Sequence, residues 1–376
     1  MPNKFLSFVK NEVVLLAAFV LAAVSVFFVP PDAAYAGYID WRTLAILFCL
    51  MVIMAGLQRL DVFRQVGEAL IRRARSARAL AMVLMLLCYL FSMFITNDVA
   101  LLTFVPFTIV VLRMAGQEKQ LIPVIVLETI AANLGSMLTP IGNPQNLYLY
   151  SLSGLTLPAF IQLMLPYGLA ALALLCVLCV ILNPRTPAAL DMQGDYARTA
   201  PEKRRLGMYI ALFAVSLLTV ARVLAWPIAF GVVLLAVLAF DRRTLMRADY
   251  SLLLTFIFLF IFIGNMKRIP AVSDLLGGLV TSHEVLCGVL ASQVISNVPA
   301  AVLLSGFTEN IAGLLVGTNL GGLGTLIASM ASLISFKQYG YVADADRKRY
   351  ILVFTALNLL MLAVLLGENA LINIWR

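Results

Sequence analysis

The run Asn133-Leu134-Gly135-Ser136-Met137-Leu138-Thr139-Pro140-Ile141 has a counterpart in Asn319-Leu320-Gly321-Gly322-Leu323-Gly324-Thr325-Leu326-Ile327. Asn, Leu, Gly, Thr and Ile recur in register at a constant offset of 186 residues. A shorter polar run precedes each copy: Thr96-Asn97-Asp98-Val99-Ala100 the first, Ser296-Asn297-Val298-Pro299-Ala300 the second. Polar, helix-breaking segments at matching places in two hydrophobic halves are the sequence mark of a transporter's substrate site. The chain therefore reads as an all-α polytopic membrane protein built by internal duplication.

Composition agrees. Of the 376 residues 62% are hydrophobic and 12% charged, where a soluble domain carries about a quarter charged. The five cysteines lie in apolar stretches; even Cys176 and Cys179, spaced as a redox pair, read as packing residues in a continuous apolar helix. A single histidine, His283, excludes a His-based metal centre and argues against an enzyme. The expectation is therefore no cofactor, with Na⁺ as a possible coupling ion.

Apolar runs of spanning length fall at 13–29, 41–57, 121–150, 159–182, 206–222, 226–240, 250–265, 316–336 and 350–368. Lys4, Lys10, the first run and Ala34-Tyr35-Ala36 resemble a cleavable signal peptide over residues 1–36. The run is long for that purpose, and the repeat requires it, so it reads as a retained span. Two further pairs, 79–94 with 99–113 and 284–295 with 299–315, flank the short motifs. Their arms reach about 18–25 Å as helix, short of the ~30 Å hydrocarbon core. They fit re-entrant hairpins, or else short spans joined by tight loops.

With the N-terminus in the cytoplasm, all but five of the 27 Lys and Arg face inward. Arg59, Arg64, Arg72, Arg73, Arg75 and Arg78 lie there, with Arg198, Lys203, Arg204 and Arg205; Arg42, Arg222, Lys267, Arg268 and Arg376 fall outside. This asymmetry accounts for the net charge of +8 without nucleic acid. The parts are then 1–182, a first repeat with a cytoplasm-facing hairpin (79–113) and a broken span (121–150); 183–225, a linker and connecting span; and 226–376, a second repeat with an outside-facing hairpin (284–315) and a broken span (316–336). One odd span between the copies turns the second upside down, an inverted-topology repeat suited to alternating access. Amphipathic stretches at about 59–78 and 267–282 precede the hairpins at matching places.

Irregular backbone at membrane depth survives only where it is buried or lines a cavity. Residues 135–146, with Gly135, Pro140, Gly142 and Pro144, cannot remain regular helix. Their carbonyls, with Ser136, Thr139, Asn143 and Asn146, offer hard oxygen ligands for a cation; Gly324 and Thr325 stand in the second loop. Thr96 and Ser296 read as N-caps whose helices direct positive dipole ends at a central anion. Asp98 and Glu128 are the carboxylates at membrane depth and default to a functional reading, Asp98 as cation ligand or proton relay with Glu128 as its partner in the relay. Their symmetry positions are Val298 and Leu314. Tyr148 and Tyr150 read as interface anchors.

Phe94-Ile95-Thr96-Asn97-Asp98-Val99-Ala100, Thr139-Pro140-Ile141-Gly142-Asn143-Pro144-Gln145-Asn146 and Ser296-Asn297-Val298-Pro299-Ala300 together resemble the ion transporter superfamily. That group holds arsenite permeases, NhaD-type antiporters and divalent-anion sodium symporters; the small YbiR-like bacterial inner-membrane proteins are the most similar. The resemblance implies an elevator-type transporter, usually a homodimer in the inner membrane. It implies substrate contacts at Thr96, Asn97, Ser296, Asn297, Pro140, Asn143 and Thr325. It implies coupling-cation contacts at Thr96, Asn97, Asp98, Gly142, Asn143, Ser296, Asn297 and Gly324. Tips ending in Asp98 and Val298 depart from the dicarboxylate branch, which has Thr there. The expected function is secondary active transport of a small anion, a dicarboxylate or inorganic oxyanion, coupled to Na⁺ or H⁺. The alternative is a cation/proton antiporter using Asp98.

Overall fold

The computed structural model describes residues 12–71, 74–187 and 199–374. Lys4, Lys10, Arg72, Arg73, Arg198, Arg376 and the middle of the 183–205 linker fall outside the described residues, as does the start of the signal-like segment. Helix α1 (Val13–Phe28), the single turn α2 (Tyr35–Tyr38), α3 (Trp41–Arg59) and α4 (Val62–Ile71) lead into α5 (Ala77–Ile95) and α6 (Asn97–Met114). Helices α7 (Leu121–Ser136) and α8 (Pro144–Ser153) are the two pieces of a broken helix, followed by α9 (Leu157–Leu182). Helix α10 (Ala200–Val220) has no counterpart. The series then recurs as α11 (Trp226–Asp241), α12 (Tyr250–Lys267), α13 (Pro270–Val280), α14 (Glu284–Ile295), α15 (Asn297–Leu304), α16 (Ile311–Leu320), α17 (Met330–Tyr339) and α18 (Arg347–Ile374). By length and composition six described helices can cross a membrane, or seven if α13 and α14, bent by 110°, count as one span.

The likeness of the two series extends to individual bonds. Asp40 caps α3 by accepting from Thr43 N at 3.0 Å, and Asp249 caps α12 by accepting from Leu252 N at 3.0 Å. Both cap residues have φ −79° and ψ 84°. Arg59, ending α3, pairs with Asp241 at 2.9 Å; Arg268, following α12, pairs with Asp32 at 2.7 Å. Each bridge joins one half to the other, and the two exchange roles when the halves are exchanged.

Every residue of α7 except Pro123 is buried, as are residues 314–320 of α16. A helix apolar on all sides belongs at the centre. Helix α5 packs on α7, and α14 on α16. Glycine makes those crossings close. A Cβ at Gly135 would lie 2.1 Å from Tyr89 O and 2.7 Å from Ser92 Oγ; at Gly321 it would lie 2.6 Å from Ser292 Oγ.

Three expectations change. The arms of the first pair are 19 and 18 residues long, each about 27–29 Å and of spanning length, because only Thr96 interrupts the helix. The second pair is short, 12 and 8 residues, and ends at Leu304 rather than 315. The broken helix accordingly begins at Ile311, where Asn310 accepts from Gly313 N at 2.9 Å, and runs to Tyr339. Tyr148 and Tyr150 do not lie at an interface. Both are buried, Tyr148 against Phe256 and Phe260 from the other half and Tyr150 against Phe160.

Candidate functional site

The two tips are single residues with nearly the same backbone: Thr96 at φ 70°, ψ 150° and Ser296 at φ 72°, ψ 153°. Such a conformation is costly for a residue with a Cβ. It turns the hydroxyls away from the helix ends, so neither caps its helix as expected. Instead the following amide reaches the unwound loop: Asn97 N donates to Gly142 O at 3.1 Å, and Asn297 N to Ala328 O at 2.9 Å. Gly142 and Ala328 are separated by the repeat offset of 186. The loop threonines are held equivalently, Thr139 Oγ1 donating to Met93 O and Thr325 Oγ1 to Gln293 O at 3.2 Å.

At the centre the broken helices exchange partners. Asn133, near the end of α7, donates to Ser332 Oγ at 3.3 Å and accepts from Ser329 Oγ at 2.9 Å. Asn319, near the end of α16, donates to Asn146 Oδ1 at 2.6 Å and accepts from Asn143 Nδ2 at 3.2 Å. Ser329 and Ser332 are the repeat counterparts of Asn143 and Asn146, so the clasp is reciprocal. The first tip joins it through Asn97 Nδ2, which donates to Asn133 Oδ1 at 3.1 Å. The second approaches at Gly322, where a Cβ would meet Asn297 Nδ2 at 3.0 Å.

Of the residues expected in the site, Asn97, Asn143 and Asn297 meet at this clasp; Asn143 also caps α8 by accepting from Asn146 N at 2.9 Å. Gly142 contributes the carbonyl that receives the first tip, and Pro140 is buried in the same loop. Gly324 and Thr325 stand against Gln293: a Cβ on Gly324 would lie 2.3 Å from Gln293 Oε1, and Thr325 N donates to that oxygen at 2.9 Å. Thr325 is exposed. Asp98 is half-buried, its Oδ1 shielded and without a partner.

Glu128 does not join Asp98. It is fully buried and accepts from Thr108 Oγ1 at 2.5 Å. Thr108 lies ten residues beyond Asp98 on α6, about 15 Å along the axis. The two acids are separate sites.

The sequence reading did not single out Ser329, Ser332, Gln145 or Gln293 as site residues. Adding the 186 offset to Asn143 and Asn146 points to the two serines. Gln145 is buried with both amide atoms unpartnered, and Ser296 Oγ is buried and unpartnered. Buried polar atoms left open in this way are costly and mark a place for a ligand's polar groups. Asparagine, glutamine and serine offer donors and acceptors without fixed charge. The charge at the tips comes from Asp98.

The profile of the family described as CitMHS, citrate transporter, matches residues 6–331 of this chain. The chain belongs to this family. It is 36% identical over 321 residues to inner membrane protein YbiR of Escherichia coli K12, covering 83% of each chain. It is 32% identical over 342 residues to the uncharacterized transporter MJ0456 of Methanocaldococcus jannaschii, covering 89% of this chain and 88% of that one. The crystal structure of the YdaH transporter of Alcanivorax borkumensis superposes with a TM-score of 0.57 at 16% identity, covering 98% and 97% of the two chains. That likeness supports the helical transporter fold. As a CitMHS member the protein is a membrane transporter and not an enzyme. The inner-membrane location of its YbiR relative agrees with the expectation from sequence.

Proposed function

We propose that this CitMHS member is a secondary active transporter for a small anion, a dicarboxylate or an inorganic oxyanion, coupled to Na⁺ or H⁺ by alternating access. The observation that carries the reading is the reciprocal clasp, in which two tips of one conformation meet two broken helices. Exchange between two such related arrangements is what an inverted-topology repeat offers an elevator-type carrier, working as a homodimer with its N-terminus in the cytoplasm. Unpartnered Gln145 Nε2 and Ser296 Oγ, with the N-termini of α6 and α15, supply donors for an anion. The family is named for citrate, a carboxylate anion.

A second reading is cation/proton exchange at Asp98. The shielded, unpartnered Oδ1 of Asp98 favours it, since a carboxylate closed off from water is stabilised by a proton or a cation. Uptake into proteoliposomes, measured for a panel of carboxylates and oxyanions under imposed Na⁺ or pH gradients, tests the proposal. One anion accumulated by the wild type, with Asp98→Asn retaining some uptake, supports the anion carrier. Cation flux lost entirely in Asp98→Asn, with no anion carried, replaces it with the exchanger.

A further inference from the structure

The carbonyls of both unwound loops were expected to be open to a cation. In the structure the chain's own amides occupy them. Gln293, on α14, points Nε2 at three carbonyl oxygens: Val289 at 3.2 Å, Gly321 at 3.0 Å and Leu323 at 2.9 Å. Its Oε1 accepts from Thr325 N at 2.9 Å. That orientation is dictated by the partners, because a carbonyl can only accept and a backbone N–H can only donate. In the first loop Asn146 Nδ2 stands 3.4 Å from Ser136 O, 3.4 Å from Met137 O and 3.3 Å from Thr139 O. Asn146 Oδ1 is tied to Asn319 Nδ2 at 2.6 Å.

These amides are not repeat counterparts. The position matching Gln293 is Met93, and the one matching Asn146 is Ser332. The two halves thus bring the same group to the same kind of carbonyl cluster by different routes, which sets this feature apart from simple inheritance of the duplicated sequence. An –NH₂ group among three carbonyl oxygens presents the partial positive charge that an alkali cation would present. A cation entering either cluster would have to expel the amide and leave it without its partners at membrane depth.

We propose that the side-chain amides of Asn146 and Gln293 are built-in substitutes for bound cations, so that neither loop takes up Na⁺. Any coupling then falls to Asp98, whose Oδ1 is shielded and without a partner. The coupling statement rests on the transporter reading above; the occupancy of the loops does not.

The test is the unfolding midpoint of the full chain in detergent, titrated with NaCl against choline chloride at constant ionic strength. The titrations are run in an Asp98→Asn background, so that no cation binds at the first tip, and the background protein is expected to unfold at the same temperature in both salts. Gln293→Ala should unfold at a lower temperature in choline and recover part of the shift saturably in Na⁺, which enters the vacated carbonyls. Gln293→Glu keeps the side-chain size and faces the same oxygens with a carboxylate, so it should show a saturable Na⁺ shift as well. A saturable rise of the Asp98→Asn background protein in Na⁺ overturns the proposal. So does a Gln293→Ala protein equally destabilised in both salts. If Gln293→Ala yields no folded protein, Gln293→Glu decides, and its indifference to Na⁺ overturns the proposal. Failure to carry any solute in proteoliposomes would overturn the transporter reading and leave this salt comparison unchanged.

Discussion

At Thr96 and Ser296 the chain adopts one conformation twice, and the next amide in each copy donates to the matching loop carbonyl. Around that shared backbone the copies diverge. The first tip ends in Asp98, is half-buried, and sits between arms of 19 and 18 residues. The second ends in Val298, only 7% exposed, between arms of 12 and 8 residues. Duplication has kept the main-chain bonds that hold each tip to its loop, while charge, length and exposure have become unequal. The backbone frame is common property of the halves, and the ionisable chemistry belongs to one of them.

Transplanting the acid is the strongest way to break this comparison. Val298→Asp places a carboxylate at the buried tip with no cation beside it, and should cost about 3–5 kcal/mol. Little monodisperse protein should survive extraction, whereas Asp98→Asn should extract like the wild type. Equal yields of the two variants would mean that the tips are electrostatically interchangeable.

The glycine crossings sharpen the contrast at a smaller scale. Gly135→Ala drives a methyl to 2.1 Å from a backbone oxygen, while at Gly321 the first obstacle, at 2.6 Å, is the Ser292 hydroxyl. The backbone oxygen nearest a Cβ at Gly321, Gly317 O, stands back at 2.8 Å, so less main chain has to move there. Thermal unfolding should show a loss of about 1–3 kcal/mol at Gly135, and a lesser one at Gly321. The reverse order would show that the first crossing is the more yielding one.

The two exchanged salt bridges should differ between themselves, and one of them gives the smallest effect of all. Asp241 is buried and also accepts from Thr244 Oγ1 at 2.9 Å and Tyr209 OH at 3.0 Å, so Arg59→Met should lower stability by about 1.5–3 kcal/mol. Asp32 and Arg268 face solvent, and Arg268→Met should leave the midpoint unmoved. The hydrogen bond from Arg268 holds the Asp32 carboxyl below its ordinary value of 3.8. A depressed carboxyl pKa contributes above the unfolded value and is lost as pH falls through the folded one. Any difference between the wild-type and Arg268→Met unfolding curves is therefore greatest near neutrality, too small there to move the midpoint, and vanishes in acid. A loss at neutral pH as large as that of Arg59→Met would show the exposed bridge to be as strong as the buried one.

The helical transporter architecture was legible because apolar runs are local in the chain, and the matching Asn133 and Asn319 registers could be read there as well. The close approaches were not: Gly135 reads in sequence as a helix breaker, whereas the helix runs through it to Ser136 and its missing Cβ makes room for Tyr89 O. What eluded sequence reasoning depends on rotation and reach. Nothing in Thr96 or Ser296 announces a positive φ; both residue types are ordinary helix caps, and only the loop carbonyls on the far side explain why they are not caps here. Asn133 finds Ser329 across 196 residues, a pairing no window along the chain contains. Tyr148 looked like an interface residue because the aromatic pair that covers it, Phe256 and Phe260, comes from the other half. Asp98 and Glu128 looked like partners because both are acids in apolar sequence, and the pitch of α6 holds them apart.

The exchange of partners between Asn133 and Asn319 bears on how such a chain could arise. Each half carries one asparagine that takes one bond from its own half and two more from side chains of the other. A lone half could complete those bonds by meeting a second copy turned about a twofold axis, as subunits do in the commonest symmetric dimers. Fusion of two such copies would leave the clasp intact on the first day. Descent could then reshape one tip while the other continued to hold the pair together.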